Sequence, residues 1–384
     1  MTRPLRIAML AHSTNPRGGV VHALELSEAL TALGHEVVLH APDPQGRGFF
    51  RPTRCRTVSV AAGPALPDMT AMVEQRIVEY ISHFEPEPAR RFDLFHAHDG
   101  ISGNALATLK QKGLIHGFVR TVHHIDDFAD QRLMDLQKRS ISAASVWACV
   151  GAEWQSILAA EHGVSASLVG NGVDRRRFST EPDANDTRVR ERLVLGLGPV
   201  FLVVGGVEAR KNTIRILEAF VRVRAALPDA QLVIAGGASL LDHSGYRAGF
   251  DALLQTAGLS AAVQLTGPLS DAEMPALYRL ATTLVFASVK EGFGLCVLEA
   301  MASGTPVIVP AIRPFTDYLG PDDALWCDPY QPGAIADAMV ASLEPGLRRR
   351  LIASGRKLAP RHTWADVAAR HLPLYHTLME AADA

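Results

Sequence analysis

The sequence predicts an α/β chain made of two doubly wound parallel sheets, and three observations carry that expectation. Leu5–Ala11 (LRIAMLA) is an apolar run of strand length, followed by a turn at Asn15-Pro16-Arg17-Gly18-Gly19, a helix-periodic stretch and a second apolar run, Glu36–His40 (EVVLH). Continuous apolar strands alternating with helices belong to parallel sheets covered on both faces. The same strand–turn–helix–strand plan starts afresh at Val200, and 384 residues are enough for two domains of ordinary size.

In chain order, the first helix places Ala23, Leu26, Leu30 and Leu33 on one stripe, with Glu25 and Glu28 off it and Gly34 as its C′ residue. Residues 44–67 read as an irregular segment. Within it, Arg47, Arg51, Arg54 and Arg56 with Phe49 and Phe50 fit a solvated basic loop, with an anionic surface or a phosphorylated acceptor as the alternative. A helix over about Asp68–Phe84 follows, then a strand Phe92–His98 ending in His-Ala-His-Asp. His96 and His98 fall on one side of an extended chain, but two His and one Asp make packing and acceptor contacts the better account than a metal. Phe118–His123 and Val146–Val150 are further strands, and Asn171-Gly172 marks a turn. The polar stretch from Arg175 to Gly198 reads as a connection between domains. The second series has a strand at Val200–Val204, a turn at Gly205-Gly206, a helix over about Thr213–Ala226 and a strand at Gln231–Ala235. Ser270 and Glu273 form a capping-box pattern before a helix and the strand Thr283–Ala287. A last helix from about Trp364 is predicted to be interrupted at Pro373.

Composition narrows the function. Thirty-eight Lys and Arg balance 40 Asp and Glu, a net charge of −2, so no global field draws in nucleic acid or an anionic membrane. Cys55, Cys149, Cys296 and Cys327 are scattered without CxxC spacing, which favours neither a disulfide framework nor a zinc site. The apolar run at the N-terminus is too short for a signal-peptide core, and no stretch approaches the roughly 20 apolar residues of a membrane span. A cytoplasmic protein without predicted membrane contact is the expectation.

The most informative stretch is Ser288–Pro310, SVKEGFGLCVLEAMASGTPVIVP. A loop ending at Glu291 and Gly292 leads into the apolar helix LCVLEAMA, which Ser303-Gly304 stops before the buried strand VIVP. Gly292 and Gly294 allow close backbone approach, and the first helical N–H groups then suit a phosphate. Glu299, between Leu298 and Ala300, is a carboxylate that needs hydrogen-bond donors if buried; two sugar hydroxyls would serve, and a solvent-facing position is the plain alternative.

This segment closely resembles the E-x7-E signature of the family-4 retaining glycosyltransferases, including the GTPV after it. The resemblance implies the GT-B fold, two Rossmann-like domains facing across a cleft. Residues 1–175 would be the acceptor-side domain, 176–198 a linker and 199–362 the donor-side domain, with helix 364–384 rejoining the first. It further implies that Glu291 contacts the donor sugar, that Glu299 contacts the nucleotide ribose, and that Gly292, Phe293, Gly294 and Leu295 hold the diphosphate. Thr121-Val122-His123 matches the family's T-x-H context, which assigns the sugar-contacting histidine to His123 and not His124. Gly18 and Gly19 lie in the loop that the family places near donor phosphates and acceptor, although a plain tight turn fits equally. SLVGNGVD resembles the family's P-N-G-V-D turn, with Gly170 where Pro is usual. Lys211 matches the family's diphosphate lysine. The arginine common a few residues earlier is replaced by Gly205-Gly206, and Arg210 is the candidate to supply its charge.

A departing nucleoside diphosphate can be stabilised by a divalent ion on carboxylates or by fixed cations and a helix N-terminus. No D-x-D triplet occurs in the chain, so the second route is expected: no metal, no cofactor, and a nucleotide-sugar as donor substrate. The implied reaction is hexosyl transfer to an unidentified acceptor with retention, by a front-side route. Two rivals are a non-catalytic sugar-nucleotide-binding subunit and a GT-B epimerase of nucleotide sugars. A nicotinamide dehydrogenase is disfavoured because GGV is not GxGxxG.

Overall fold

The computed structural model describes residues 3–237 and 244–383. The chain divides into two compact units, Met1–Gly172 with Trp364–Ala384, and Val173–Thr363.

The first unit runs β1 (Arg6–Leu10), α1 (Gly18–Ala32), β2 (Glu36–Pro42), β3 (Arg56–Val60), α2 (Met69–Phe84), β4 (Leu94–Ala97), α3 (Gly100–Gln111), β5 (Val119–Val122), α4 (Gln131–Ser142), β6 (Val146–Cys149), α5 (Ala152–His162) and β7 (Ala166–Leu168). Among the described residues its sheet has seven parallel strands in the order β3-β2-β1-β4-β5-β6-β7. Ile7 pairs in register with Val37 on one side and Leu94 on the other. Strand order reverses between β1 and β4, the topological switch point at which such sheets bind ligands. β1, β2 and β4 are buried almost throughout, as their apolar runs require, and Tyr80, Phe84, Phe95 and Phe118 fill one face of the core.

Two features of this unit differ from the sequence expectation. The segment 44–67 contains a strand, β3, paired with β2 from Val38↔Arg56 to Pro42↔Val60. Glu25 and Glu28 are buried, while Leu33 on the predicted apolar stripe is 49% exposed. The reason is Arg51, whose guanidinium lies 2.9 Å from Glu25 and 2.8 Å from Glu28 with only 8% of its side chain exposed. A bidentate cation makes a pair of buried carboxylates tolerable, which periodicity alone does not reveal. Arg51 is thus neither a solvated loop residue nor part of a docking patch, whereas Arg47, Arg54 and Arg56 are exposed.

The second unit runs α6 (Ala184–Arg192), β8 (Val200–Val204), α7 (Thr213–Ala226), β9 (Gln231–Ala235), α8 (Ser244–Thr256), β10 (Val263–Gly267), α9 (Glu273–Leu280), β11 (Thr283–Val285), α10 (Leu295–Ala302), β12 (Val307–Pro310), α11 (Phe315–Tyr318), β13 (Leu325–Cys327), α12 (Pro332–Ala341) and α13 (Pro345–Leu358). Its six described strands are parallel in the order β10-β9-β8-β11-β12-β13, again reversing direction beside the first strand. Residues 176–198, read as a connection, lie in this unit and carry α6, which opens on an Asp183 capping box and is held by Arg279 to Asp183 at 3.2 Å and to Asp186. The Ser270–Glu273 pair forms at 3.0 and 2.6 Å, but α9 begins only at Glu273, so the pair fastens the loop ahead of the helix.

α14 (Trp364–Asp383) belongs to the first unit and packs on α1. It is one continuous helix with Pro373 inside it, and the predicted interruption does not occur. Proline removes one i→i−4 bond, and the buried residues Val367, Ala368, His371, Tyr375 and Leu378 anchor the turns on either side of it. Among the described residues no helix is long and apolar enough to cross a membrane.

Candidate functional site

In the second unit the turn before α7 and the loop before α10 are joined by hydrogen bonds from Asn212 and from the backbone. Asn212 is the N-cap of α7 with φ +61, a left-handed conformation that asparagine tolerates better than most residues. Its buried amide donates to the carbonyls of Ala287 at 3.0 Å and Pro329 at 2.5 Å, so its side chain holds the loop after β11 instead of capping the helix. A backbone bond from Val289 N–H to the Arg210 carbonyl, 3.0 Å, completes the join.

That join sets Arg210, Lys211 and Glu291 together. Lys211 Nζ lies 2.7 Å and Arg210 Nη1 2.8 Å from the same oxygen, Oε1 of Glu291. Adjacent residues at a helix start need not point the same way; these two do. Burial pushes the Glu291 carboxyl up, but Lys211 and Arg210 outweigh it and hold the group below the usual range. Glu291 is therefore an anion that accepts hydrogen bonds and gives no proton at neutral pH. Lys211 Nζ also sits 4.4 Å from the centre of the Phe286 ring, and 13% of its side chain is exposed against 42% for Arg210. Gly205, with φ +128, makes room for the lysine stem: a Cβ there would stand 2.9 Å from Lys211 Cε. The glycine in place of a bulkier residue is thus used by Lys211 itself.

Gly292, Phe293, Gly294 and Leu295 lead into α10. Gly294 is the N-cap with φ +88, and a Cβ there would come 2.7 Å from Phe315. Phe293 is a packing residue, its ring stacked on Tyr318 at 4.7 Å, so what it can offer a ligand is backbone. The Val297 N–H is bonded to the Gly294 carbonyl at 2.9 Å, and the N–H groups of Leu295 and Cys296 ahead of it lie at the positive end of the helix dipole. Cys296 in that turn is no nucleophile, because burial pushes its thiol far up. Glu299, half-buried one turn on, accepts a hydrogen bond on Oε2 from the Tyr278 hydroxyl of α9, 2.7 Å away.

The first unit carries His123 just beyond β5. The ring lies over Gly19, where a Cβ would stand 3.2 Å from His123 Cδ2, while nothing lies within 4 Å of a Cβ on Gly18. His123 belongs to a group of five histidines. His98 Nδ1 is 3.1 Å from His123 Nε2, and His98 Nε2 is 2.8 Å from the Met9 sulfur. His96 is bonded to Tyr375 and Thr121 at 3.0 and 2.7 Å, His22 to Asn171 at 2.8 Å, and His371 donates to the Val367 carbonyl at 2.8 Å. Burial above all lowers each of these five, so they are neutral imidazoles. His96 and His98 are packing and hydrogen-bonding residues, and among the described residues no group of three or more His, Cys, Asp or Glu is arranged to hold a metal ion.

Four members of these clusters, Asn212, Tyr278, His22 and His371, carry no sequence motif that singles them out. Only Asn212 had a local cue, as an asparagine directly before a helix, and its left-handed backbone was not legible there.

Comparison with known proteins agrees with this architecture. A family model described as Glycosyltransferase Family 4 matches residues 16–177, and one described as Glycosyl transferases group 1 matches residues 187–358. A D-inositol 3-phosphate glycosyltransferase of Xylanimonas cellulosilytica is 28% identical, with 97% of each chain covered. Among solved structures, the sucrose-phosphate synthase of Thermosynechococcus elongatus superposes with a TM-score of 0.80 at 24% identity, covering 98% of this chain and 99% of that one. Anabaena HepE in complex with UDP-glucose gives 0.75 at 16% identity, covering 98% and 100%. With one model matching from residue 16 and the other ending at residue 358, the protein belongs to the family-4, group 1 glycosyltransferases and has their GT-B fold.

Proposed function

We propose that the protein transfers a hexosyl group from a nucleotide-sugar to an acceptor hydroxyl, with retention and without a metal ion. The observation that carries this is the convergence of Arg210 and Lys211 on Glu291 beside the N-terminus of α10. Two fixed cations and a helix dipole meet the charge that develops on a leaving diphosphate. The UDP-glucose bound by the HepE neighbour supports a nucleotide-sugar donor. Glu291, an ionised acceptor, would bind sugar hydroxyls, and Glu299 the ribose. His123 would bind a substrate hydroxyl. In the reaction the bond from the anomeric carbon to the phosphate oxygen breaks and one to the acceptor oxygen forms on the same face. The acceptor proton passes to the departing phosphate, so no protein nucleophile or base is required. Four cysteines without a disulfide support a cytoplasmic location.

The test is a donor panel of UDP-, GDP- and ADP-hexoses with EDTA present throughout. Turnover within about twofold of the untreated enzyme is expected, with product of the donor's anomeric configuration by NMR. A rate abolished by EDTA and restored by Mg²⁺ or Mn²⁺ overturns metal independence; an inverted product overturns retention.

Tyr278 gives a second measurable consequence. Its hydroxyl is buried and donates to Glu299. Removing a hydrogen bond to a charged group typically costs about 1.5–3 kcal/mol. Tyr278→Phe is therefore expected to weaken nucleoside diphosphate binding by roughly tenfold or more while leaving kcat within about twofold. Calorimetric titration showing unchanged affinity would detach Glu299 from the ribose.

A further inference from the structure

We propose that His98 is a positioning residue that fixes the tautomer of His123, so that His123 presents Nδ1 as the acceptor for a substrate hydroxyl. The inference rests on the proposed role of His123 and adds the reason its ring faces a ligand in one protonation form. The chain of three groups lies within the first unit: the Met9 sulfur on β1, His98 after β4 and His123 after β5. A thioether sulfur has no hydrogen to give. At 2.8 Å from that sulfur, His98 Nε2 carries the proton, and in a neutral imidazole Nδ1 is then the acceptor. His123 Nε2, 3.1 Å from it, donates, which leaves the lone pair on His123 Nδ1. Among the described residues no group is hydrogen-bonded to that nitrogen, and the residue is half-buried.

The rings are also held in place. His98 and His123 lie 24° from parallel at 5.4 Å, and His98 packs at 4.2 Å on His96, which Tyr375 and Thr121 fasten. His22 meets His123 edge-on at 4.8 Å, and Gly19 leaves the ring its space. The other ionisable neighbours, Arg120 and His124 with His22 and His96, all act against a positive charge on His123, in keeping with burial as the main cause of its neutrality. A neutral Nε2–H imidazole is thus the form the surroundings select.

The test combines spectroscopy on the unaltered protein with two substitutions. In ¹⁵N-histidine-labelled wild-type protein at pH 7.5, with His123 assigned from the spectrum of His123→Gln, Nε2 is expected to be protonated and Nδ1 bare. A protonated Nδ1 overturns the proposal without any variant having to fold. His98→Asn keeps an acceptor oxygen near the place of Nδ1 and is expected to hold kcat within about threefold. His98→Leu removes the acceptor and is expected to lower kcat 10- to 100-fold with donor KM within about threefold. His98→Leu at wild-type turnover, or His98→Asn falling as far as His98→Leu, refutes positioning by hydrogen bond. Full activity in His123→Gln would instead remove the role of His123 itself, so the two failures are told apart.

Discussion

Lys211→Ala is expected to lower kcat by about 10²–10³, the loss of roughly 3–4 kcal/mol typical of one preorganised group facing developing charge. Negative charge grows on the diphosphate as the glycosidic bond breaks, so a cation there favours the transition state over the bound substrate. Lys211 and Arg210 meet on one carboxylate oxygen, and the two are expected to share the load unequally. Lys211 is nearly enclosed and backed by the Phe286 ring, whereas 42% of the Arg210 side chain faces solvent and is screened. Arg210→Ala is accordingly expected to cost only about tenfold. The double variant should lose more than either single one and should also melt lower, since it leaves Glu291 buried without a cation. Steady-state kinetics with melting curves of all three variants separate the two effects. Wild-type turnover in all three would mean that the diphosphate is bound elsewhere.

The first unit is expected to unfold steeply between pH 6.5 and about pH 4. His22 is lowered to about 4, and His40 and His371 to about 3, with burial the leading cause. His96, His98 and His123 stand well below the usual value for the same reason. The unfolded chain takes up protons as pH falls through 6.5, and the folded chain does not until far lower. These groups therefore contribute nothing against folding above pH 6.5, and each costs about 1.4 kcal/mol for every pH unit below it. At pH 5 His22, His40 and His371 together sum to roughly 6 kcal/mol, comparable with the 5–15 kcal/mol that holds a whole domain, and His96, His98 and His123 act in the same direction. Trp147, Trp154 and Trp364 lie in this unit and Trp326 in the other, so tryptophan fluorescence chiefly reports the first. An unshifted emission spectrum down to pH 4.5 would refute the claim that these imidazoles are buried neutral.

What the sequence determined by itself is local in origin. The apolar runs of β1, β8 and β12, the helix α10 with Gly294 before it and Gly304 after it, and the pairing of Glu291 with Glu299 around one glycine turn all follow from neighbours a few residues apart. Backbone propensity, glycine conformation and periodicity act over that range, so they can be read directly. The tertiary structure decided the partners. Arg51 neutralises two carboxylates more than 20 residues before it, Arg210 and Lys211 reach Glu291 from about 80 residues away, and His96 meets Tyr375 across 279. Such pairs depend on which strands lie side by side, and strand order in a doubly wound sheet is set by packing of the whole unit. A buried charge is stable only when its counter-charge arrives with it, so burial of Glu25, Glu28 and Glu291 became visible only once the chain had brought their cations to them.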